Sequence, residues 1–276
     1  PRRSEINLLD RYALLAFMRE NKINSVIFAA GRVGGIIANR DFPASFLDEN
    51  AMLALNGMWA AKEADVERMV VFGSSCMYPV NGHQPFSEDA LFTGTLEPTS
   101  LAYASAKLLT IQAAHAYNLQ YPKGTLFIPV IPNSTYGPYD NFDSHSSHVM
   151  SALIAKFHHA KFAGHNEVQI WGSGKPKREF VFCDDVATAC LALLEEVSLD
   201  LSLPFNITSE QEVSIKELAS LIASVVDYKG NVTYDASKPD GSARKALDGG
   251  RMRNIRWWAK TKLEDGVAKT YEWYVK

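Results

Sequence analysis

Tyr103 and Lys107 stand four residues apart in "YASAK" (103–107). On a helix that spacing puts both side chains on one face. An ammonium beside a phenol favours the phenolate, so Lys107 is expected to lower the Tyr103 pKa from its ordinary value of about 10. A tyrosine tuned in this way can give or take a proton near neutrality. Spacing alone is weak ground, because Tyr-x-x-x-Lys also describes an ordinary solvated helix face. A second stretch adds weight. "VVFGSSCMYP" (70–79) is an apolar run that ends in glycine and then delivers Ser74, Ser75 and Cys76 before Pro79. Ser74 falls at the exit of an expected parallel strand, where open α/β sheets place their ligands. A serine there can hydrogen-bond a substrate carbonyl oxygen together with the tyrosine.

The elements that would carry these residues can be read in order. Leu8 to Phe17 has helical spacing, with Asp10 as N-cap. "SVIFAAG" (25–31) has the composition of a buried parallel strand, and a helix spans about 43 to 64. "RMVVFGSS" (68–75) is a second strand, residues 102–121 a helix and "TLFIPVIP" (125–132) a third strand. Strands alternating with helices predict an α/β protein, a Rossmann-type doubly wound parallel sheet. After Asn133 the texture changes to a turn-rich loop (133–148), a helix from Val149 to about Ala160, the strand "VQIWG" (168–172) and the basic loop "SGKPKR" (173–178). "EFVFCDDVATACLALLEE" (179–196) predicts a strand and an acid-capped helix, "PFNIT" (204–208) a strand, and 213–226 a helix with Ser214 and Glu217 at capping-box spacing. The tail (263–275) is amphipathic. Residues 1–133, with 178–208 returning to them, are expected to form the cofactor domain. Residues 134–177 and 209–276 would form a smaller α+β substrate domain, with a cleft between the two.

The bulk numbers exclude several classes. A net charge of −3 offers no basic field for nucleic acid or an anionic membrane surface. No apolar stretch approaches the roughly 20 residues of a membrane span. The start, Pro1-Arg2-Arg3-Ser4, leads into Glu5 and Asp10 and not into the apolar core of a signal peptide. Cys76, Cys183 and Cys190 form no paired framework, which points to a reducing cytoplasm. Histidines scattered without carboxylate partners give no metal site.

The trio Ser74, Tyr103 and Lys107 resembles the short-chain dehydrogenase/reductase pattern, and "YGP" (136–138) after an apolar strand is similar to its extended, sugar-nucleotide branch. The segments "GSSCMYP" (73–79), "GTLEP" (94–98), "YASAK", "YGPYDNF" (136–142), "SHV" (147–149), "WGSGKPKREF" (171–180) and "DASKPDGSARK" (235–245) resemble the GDP-L-fucose synthases. "VGGI.AN" (33–39) belongs to the same set. That resemblance implies NADPH as cofactor, a GDP-sugar substrate, a homodimer and a cytoplasmic enzyme that epimerises and reduces GDP-4-keto-6-deoxy-D-mannose. It implies Cys76 and His148 as the acid/base pair that inverts C3 and C5, whose protons the neighbouring keto group acidifies. Tyr103 would then protonate O4 while NADPH delivers hydride to C4. For the cofactor it implies Arg2 and Arg3 at the 2′-phosphate, with Ala30, Tyr103 and Lys107. For GDP it implies Arg178 on the diphosphate, with Lys156, Trp171 and Lys245 as lesser candidates. The plainer roles are core packing for Cys76 and Trp171, a surface loop for His148, and solvated positions for His158 and His159. Two departures concern the substrate: Lys156 stands where arginine is usual, and Ser134 where asparagine is usual, with Asn133 one place earlier.

A fold of this class opens with a strand and a glycine-rich turn that cradles the cofactor pyrophosphate. Gly31, Gly34 and Gly35 follow the "VIFAA" run and do not match it. The resemblance aligns Pro1 to Arg3 with the end of a second strand. A strand, the glycine loop and a helix, on the order of 30 residues, are therefore expected to be missing, and the chain to be a fragment with little reductase activity of its own. Two alternatives remain at this stage. One is another sugar-nucleotide epimerase or dehydratase, disfavoured by Ser75 and Cys76 where dehydratases tend to carry acids. The other is a non-catalytic binding module.

Overall fold

The computed structural model describes residues 5–143, 146–238 and 240–276. Helix α1 (Arg11–Glu20) starts at Asp10, whose carboxylate accepts the amides of Tyr12 and Ala13. Strand β1 (Ser25–Phe28) follows, then the short α2 (Ile36–Asp41) and the long α3 (Pro43–Glu63), which begins with proline in its first turn. Strand β2 (Arg68–Phe72), helix α4 (Leu101–Gln120) and strand β3 (Leu126–Pro132) complete the first half. The second half runs β4 (Ser134–Tyr136), α5 (Val149–Phe162), β5 (Glu167–Trp171), β6 (Lys177–Phe182), α6 (Cys183–Glu195), β7 (Phe205–Ile207), β8 (Glu212–Ser214), α7 (Ile215–Val226), β9 (Asn231–Asp235), α8 (Gly250–Asn254) and α9 (Leu263–Tyr274). The predicted capping box is present, with Ser214 and Glu217 satisfying each other's amides.

The main sheet is parallel in the order β1-β2-β3-β7. Strands β2 and β3 are buried because both faces are covered. Met69, Val71 and Phe127 face the cluster under α1, α3 and α4, and Val70, Ile128 and Val130 face the one under α6 and α8. Each such fully buried side chain contributes roughly 1.5–3 kcal/mol of burial free energy. The first strand departs from expectation. It stops at Phe28, and Ser25 and Ile27 are exposed, because among the described residues β1 has one sheet neighbour only. A continuous apolar run predicts double burial only when both flanks are occupied.

Strand β6 joins the two halves through its period-two alternation. Phe180 and Phe182 pack with α5, α7 and α9, while Val181 packs with the main sheet. It pairs with β4 in parallel and with β8 in antiparallel, and β5 pairs with β9. The loop after Asn133 thus contains a short strand, and β8 and β9 lie in stretches too polar to signal themselves. Asp184 and Asp185 sit in the first turn of α6 but do not cap it. Asp185 instead accepts the amides of Lys260 (3.1 Å) and Thr261 (3.0 Å), pinning the approach to α9. Among the described residues no helix is long and apolar enough to cross a membrane, and no group of three or more His, Cys, Asp or Glu is placed to hold a metal.

Candidate active site

The carboxyl ends of β1, β2 and β3 face the amino-terminal half of α4, and that is where the chemistry-bearing residues gather. Beyond Phe72 the chain turns through Ser74 into a 3-10 turn, Ser75–Met77, and the Ser74 hydroxyl accepts the Cys76 amide at 3.3 Å. Cys76 is half-buried there, which is not the setting of a core thiol. The Tyr103 side chain stands beside that of Ser74 and within electrostatic reach of the Cys76 thiol. Its ring meets Phe46 edge-to-face, 6.2 Å between centroids. The Ser74–Tyr103–Lys107 set is brought together as the sequence predicted.

Its electrostatics are not as predicted. Burial pushes the Tyr103 phenol well above its ordinary range, the nearby Cys76 thiol adds to the rise, and the Ser74 side chain only partly opposes it. Lys107 does not overturn this. Its ammonium lies 5.8 Å from the Tyr103 ring centroid and donates to the Phe72 carbonyl at 3.0 Å. Burial also lowers the Lys107 pKa to about 8, since only 6 % of the residue is exposed. Sharing a helix face placed the two groups side by side, but the enclosure that sharing creates costs both charged forms. Tyr103 is therefore a protonated phenol, the form that can give a proton to a developing alkoxide.

The loop after β1 closes one side of the site. The backbone at Gly31 passes so close that a Cβ there would lie 3.0 Å from Asn50 Oδ1 and 3.4 Å from Lys107 Nζ. Asn50 locks this loop to α3, accepting the Arg32 amide (3.1 Å) and donating to its carbonyl (3.0 Å). Ala30, half-buried, precedes the close approach. This side-chain-free cradle beside a buried ammonium and a phenol fits the nicotinamide-ribose end of a dinucleotide. No residue here is assigned to the pyrophosphate, and Arg2 and Arg3 lie outside the described residues. His148 sits at the amino end of α5, exposed and without a capping bond. Its loop docks on the same glycines, with the Gly35 amide donating to the Ser146 carbonyl at 3.0 Å. Among the described residues no hydrogen bond joins His148 to Cys76 or Tyr103.

The remaining candidates divide. Arg178 donates to the carbonyls of Ser242 (2.6 Å) and Lys177 (2.7 Å), clamping the 240–243 segment, while Ser173 donates to Asp240 through its amide (2.8 Å) and hydroxyl (2.6 Å). Gly172, at φ 83°, leaves room for that Asp240 carboxylate, which a Cβ would meet at 2.3 Å. Trp171 is not core: 62 % of it is exposed, with the Lys238 ammonium 5.7 Å from its ring centroid. Lys156 has one donor committed to the Gln169 carbonyl. Asn133 is buried and donates to Glu179 at 2.6 Å, so it serves the scaffold. His158 is also not simply solvated, since it lies 3.2 Å from the Tyr271 hydroxyl and packs among Phe162 and Tyr274. Lys245 gives the largest surprise: its ammonium points at the Cys76 sulfur, 3.6 Å away.

Sequence reasoning missed the frame behind Lys245. Glu179, fully buried, accepts Asn133, the Thr208 hydroxyl and the Leu247 amide (3.1 Å). Burial raises its pKa against the pull of these hydrogen bonds. The available signal was a lone carboxylate heading the apolar run "EFVF", because buried acids are rarely unpaired.

The model of the NAD dependent epimerase/dehydratase family matches residues 2–207. The chain belongs to that family. Within it, the chain is 43 % identical over 281 residues to the GDP-L-fucose synthase of Escherichia coli (strain K12), covering 99 % of this chain and 87 % of that protein. A GDP-L-fucose synthetase from Naegleria fowleri bound to NADP superposes with a TM-score of 0.91 at 26 % identity, covering 100 % of this chain and 84 % of the other. A GDP-mannoheptose C4 reductase from Campylobacter jejuni with NADP bound gives 0.89 at 31 % identity, covering 100 % and 89 %. The epimerase/dehydratase fold with its parallel sheet, and the resemblance to the GDP-L-fucose synthases read from the motifs, both hold.

Proposed function

We propose that this chain is an NADPH-dependent epimerase/reductase that converts GDP-4-keto-6-deoxy-D-mannose to GDP-L-fucose. One observation carries the reading: the phenol that would serve reduction stands beside Ser74, whose hydroxyl accepts the amide of Cys76 at 3.3 Å, and within electrostatic reach of the thiol that would serve epimerisation. Two proton-transfer groups of different kinds therefore address one small volume. Ser74 and Tyr103 hold the substrate O4, and the carbonyl they polarise makes the hydrogens on C3 and C5 acidic. Cys76 and His148 form the pair that removes a proton and returns one on the opposite face. Bound NADPH supplies the hydride to C4. Tyr103 then gives its proton to O4, which suits a phenol kept protonated by burial. Lys107 orients the cofactor ribose and sets the charge beside the phenol. Arg178, with its rigid fork, takes the diphosphate, and exposed Trp171 offers a face for the guanine.

The enzyme is a cytoplasmic homodimer in this reading. Its three cysteines are free. Helices α3 and α4, packed together on one side of the sheet, leave Leu47, Met52 and Leu55 and also Leu101, Leu109 and Leu119 exposed, an apolar face that a second copy would cover. The deciding experiment supplies GDP-4-keto-6-deoxy-mannose and NADPH to the full-length protein and identifies the product sugar by NMR. GDP-L-fucose is expected. A product reduced at C4 with C3 and C5 unchanged would make the protein a simple C4 reductase.

A further inference from the structure

We propose that Lys245 is the counter-ion of Cys76, a positioning residue whose ammonium stabilises the negative charge the sulfur carries when it acts as base. The inference rests on the reading of Cys76 as an acid/base group and deepens it. The Lys245 ammonium approaches the Cys76 sulfur at 3.6 Å, within the range of an N–H···S hydrogen bond. A cation at that distance favours the anionic sulfur. Near this sulfur also stand the Ser74 side chain, whose oxygen holds the Cys76 amide, and the Tyr103 phenol, which burial keeps protonated.

The lysine is not there by accident of a flexible tail, because the backbone on both sides of it is fixed. On the amino side Arg244 makes a two-pronged ion pair with Glu212 (2.5 and 2.7 Å) and donates to the Gln84 carbonyl at 2.9 Å. On the carboxyl side the Ala246 amide donates to Gln84 Oε1 at 3.0 Å and the Phe86 amide to the Ala246 carbonyl at 2.9 Å. The Leu247 amide is held by buried Glu179, and the Asp248 amide by the Phe86 carbonyl. This segment is stitched to the 84–86 stretch, which continues from the strand exit that carries Cys76. Lys245 therefore reaches the thiol from a seat that does not depend on a ligand.

In the reaction, the sulfur lone pair takes a proton from the carbon beside the keto group. The C–H electron pair moves into the enolate, whose charge rests on O4 between Ser74 and Tyr103. The resulting thiol is neutral, and Lys245 regains its interaction when the proton leaves.

The test reads the thiol directly and needs neither cofactor nor sugar. Iodoacetamide alkylation of the substrate-free protein is followed by peptide mass mapping at Cys76, from mildly acidic to alkaline pH. The other two thiols are poor competitors, since burial pushes Cys183 up to about 11 and Cys190 up to about 12. Lys245→Met is expected to slow Cys76 alkylation near neutral pH by about tenfold, with the rates converging at alkaline pH, and Lys245→Arg to keep most of the parental rate. A Lys245→Met rate equal to the parent across the pH range would overturn the proposal and leave Lys245 to the substrate. So would an arginine variant as slow as the methionine one. Should Lys245→Met fail to fold, Lys245→Gln carries the same expectation. A protein that lacked GDP-sugar activity would leave the alkylation result standing, so the two claims fail separately.

Discussion

The inner and outer parts of the site are built differently. The inner group, Ser74, Cys76, Tyr103, Lys107 and Lys245, sits on strand ends, a helix and a clamped segment, and its members already touch one another or their frame. The outer group, His148, Trp171 and Arg178, stands on loops and element ends; the first two are exposed and point at no inner residue. Preorganised groups do not need to be gathered at the moment of reaction. The groups proposed for proton transfer and reduction are thus placed by folding, whereas those proposed for the nucleotide and the second acid/base stand open to what binds.

The largest effect is expected inside. In the full-length protein Tyr103→Phe keeps the ring's packing and removes the proton given to O4, so NADPH-dependent reduction should fall by ~10²–10⁴-fold. Parental turnover in that variant, followed by NADPH absorbance, would dissolve the distinction at its centre. Next comes the frame. Glu179→Ala leaves the Asn133 amide group, the Thr208 hydroxyl and the Leu247 amide without their acceptor. At ~1–3 kcal/mol for each buried polar group left unpaired, urea unfolding should show a loss of roughly 3 kcal/mol or more. It should also free Lys245, turning an inner residue into an outer one.

A smaller and graded effect comes from pH. Lys107 titrates at about 8 in the fold, below its ordinary 10.5. Between these values the unfolded chain still holds a proton that the folded chain has lost, so this residue's burial cost fades and stability gains as pH rises. The same deprotonation removes the positive charge beside the phenol. Reduction should therefore decline above about pH 8, over the window in which this residue favours the fold. A pH–rate profile that stays level through that window would place the working charge elsewhere. At the rim, Trp171→Ala should raise KM by roughly tenfold with kcat little changed, since a lost stacking face is worth ~1–3 kcal/mol.

The division also marks what the sequence could reveal. Ser74, Tyr103 and Lys107 were legible because strand exits and a four-residue helical spacing translate directly into place. The helices over 43–64 and 102–121 and the strands at 68–75 and 125–132 were legible for the same reason, as periodicity is local. The sign of the Tyr103 shift was not legible, since it depends on burial, with Phe46 packed edge-to-face on the ring, and on the nearby Cys76 thiol, which come from distant parts of the chain. Lys245 could be singled out by resemblance but not placed, because its route to Cys76 runs through Gln84, Phe86, Glu179 and Glu212, a network without any sequence period. The composition of β1 alone does not give its partial exposure, because an apolar run does not say how many neighbours it has.

The most direct test follows hydrogen at carbon and hydride at C4 in one experiment. GDP-4-keto-6-deoxy-mannose is incubated with NADPH in deuterium oxide, and both deuterium at C3 and C5 and reduction at C4 are read by NMR. Cys76→Ser and His148→Gln are expected to lose deuterium incorporation far more than they lose the capacity for hydride transfer. Tyr103→Phe is expected to incorporate deuterium and accumulate unreduced keto-sugar. If deuterium enters C3 and C5 undiminished in both Cys76→Ser and His148→Gln, the thiol and the histidine are not the epimerising pair, and the account of one site with two proton-transfer duties is wrong.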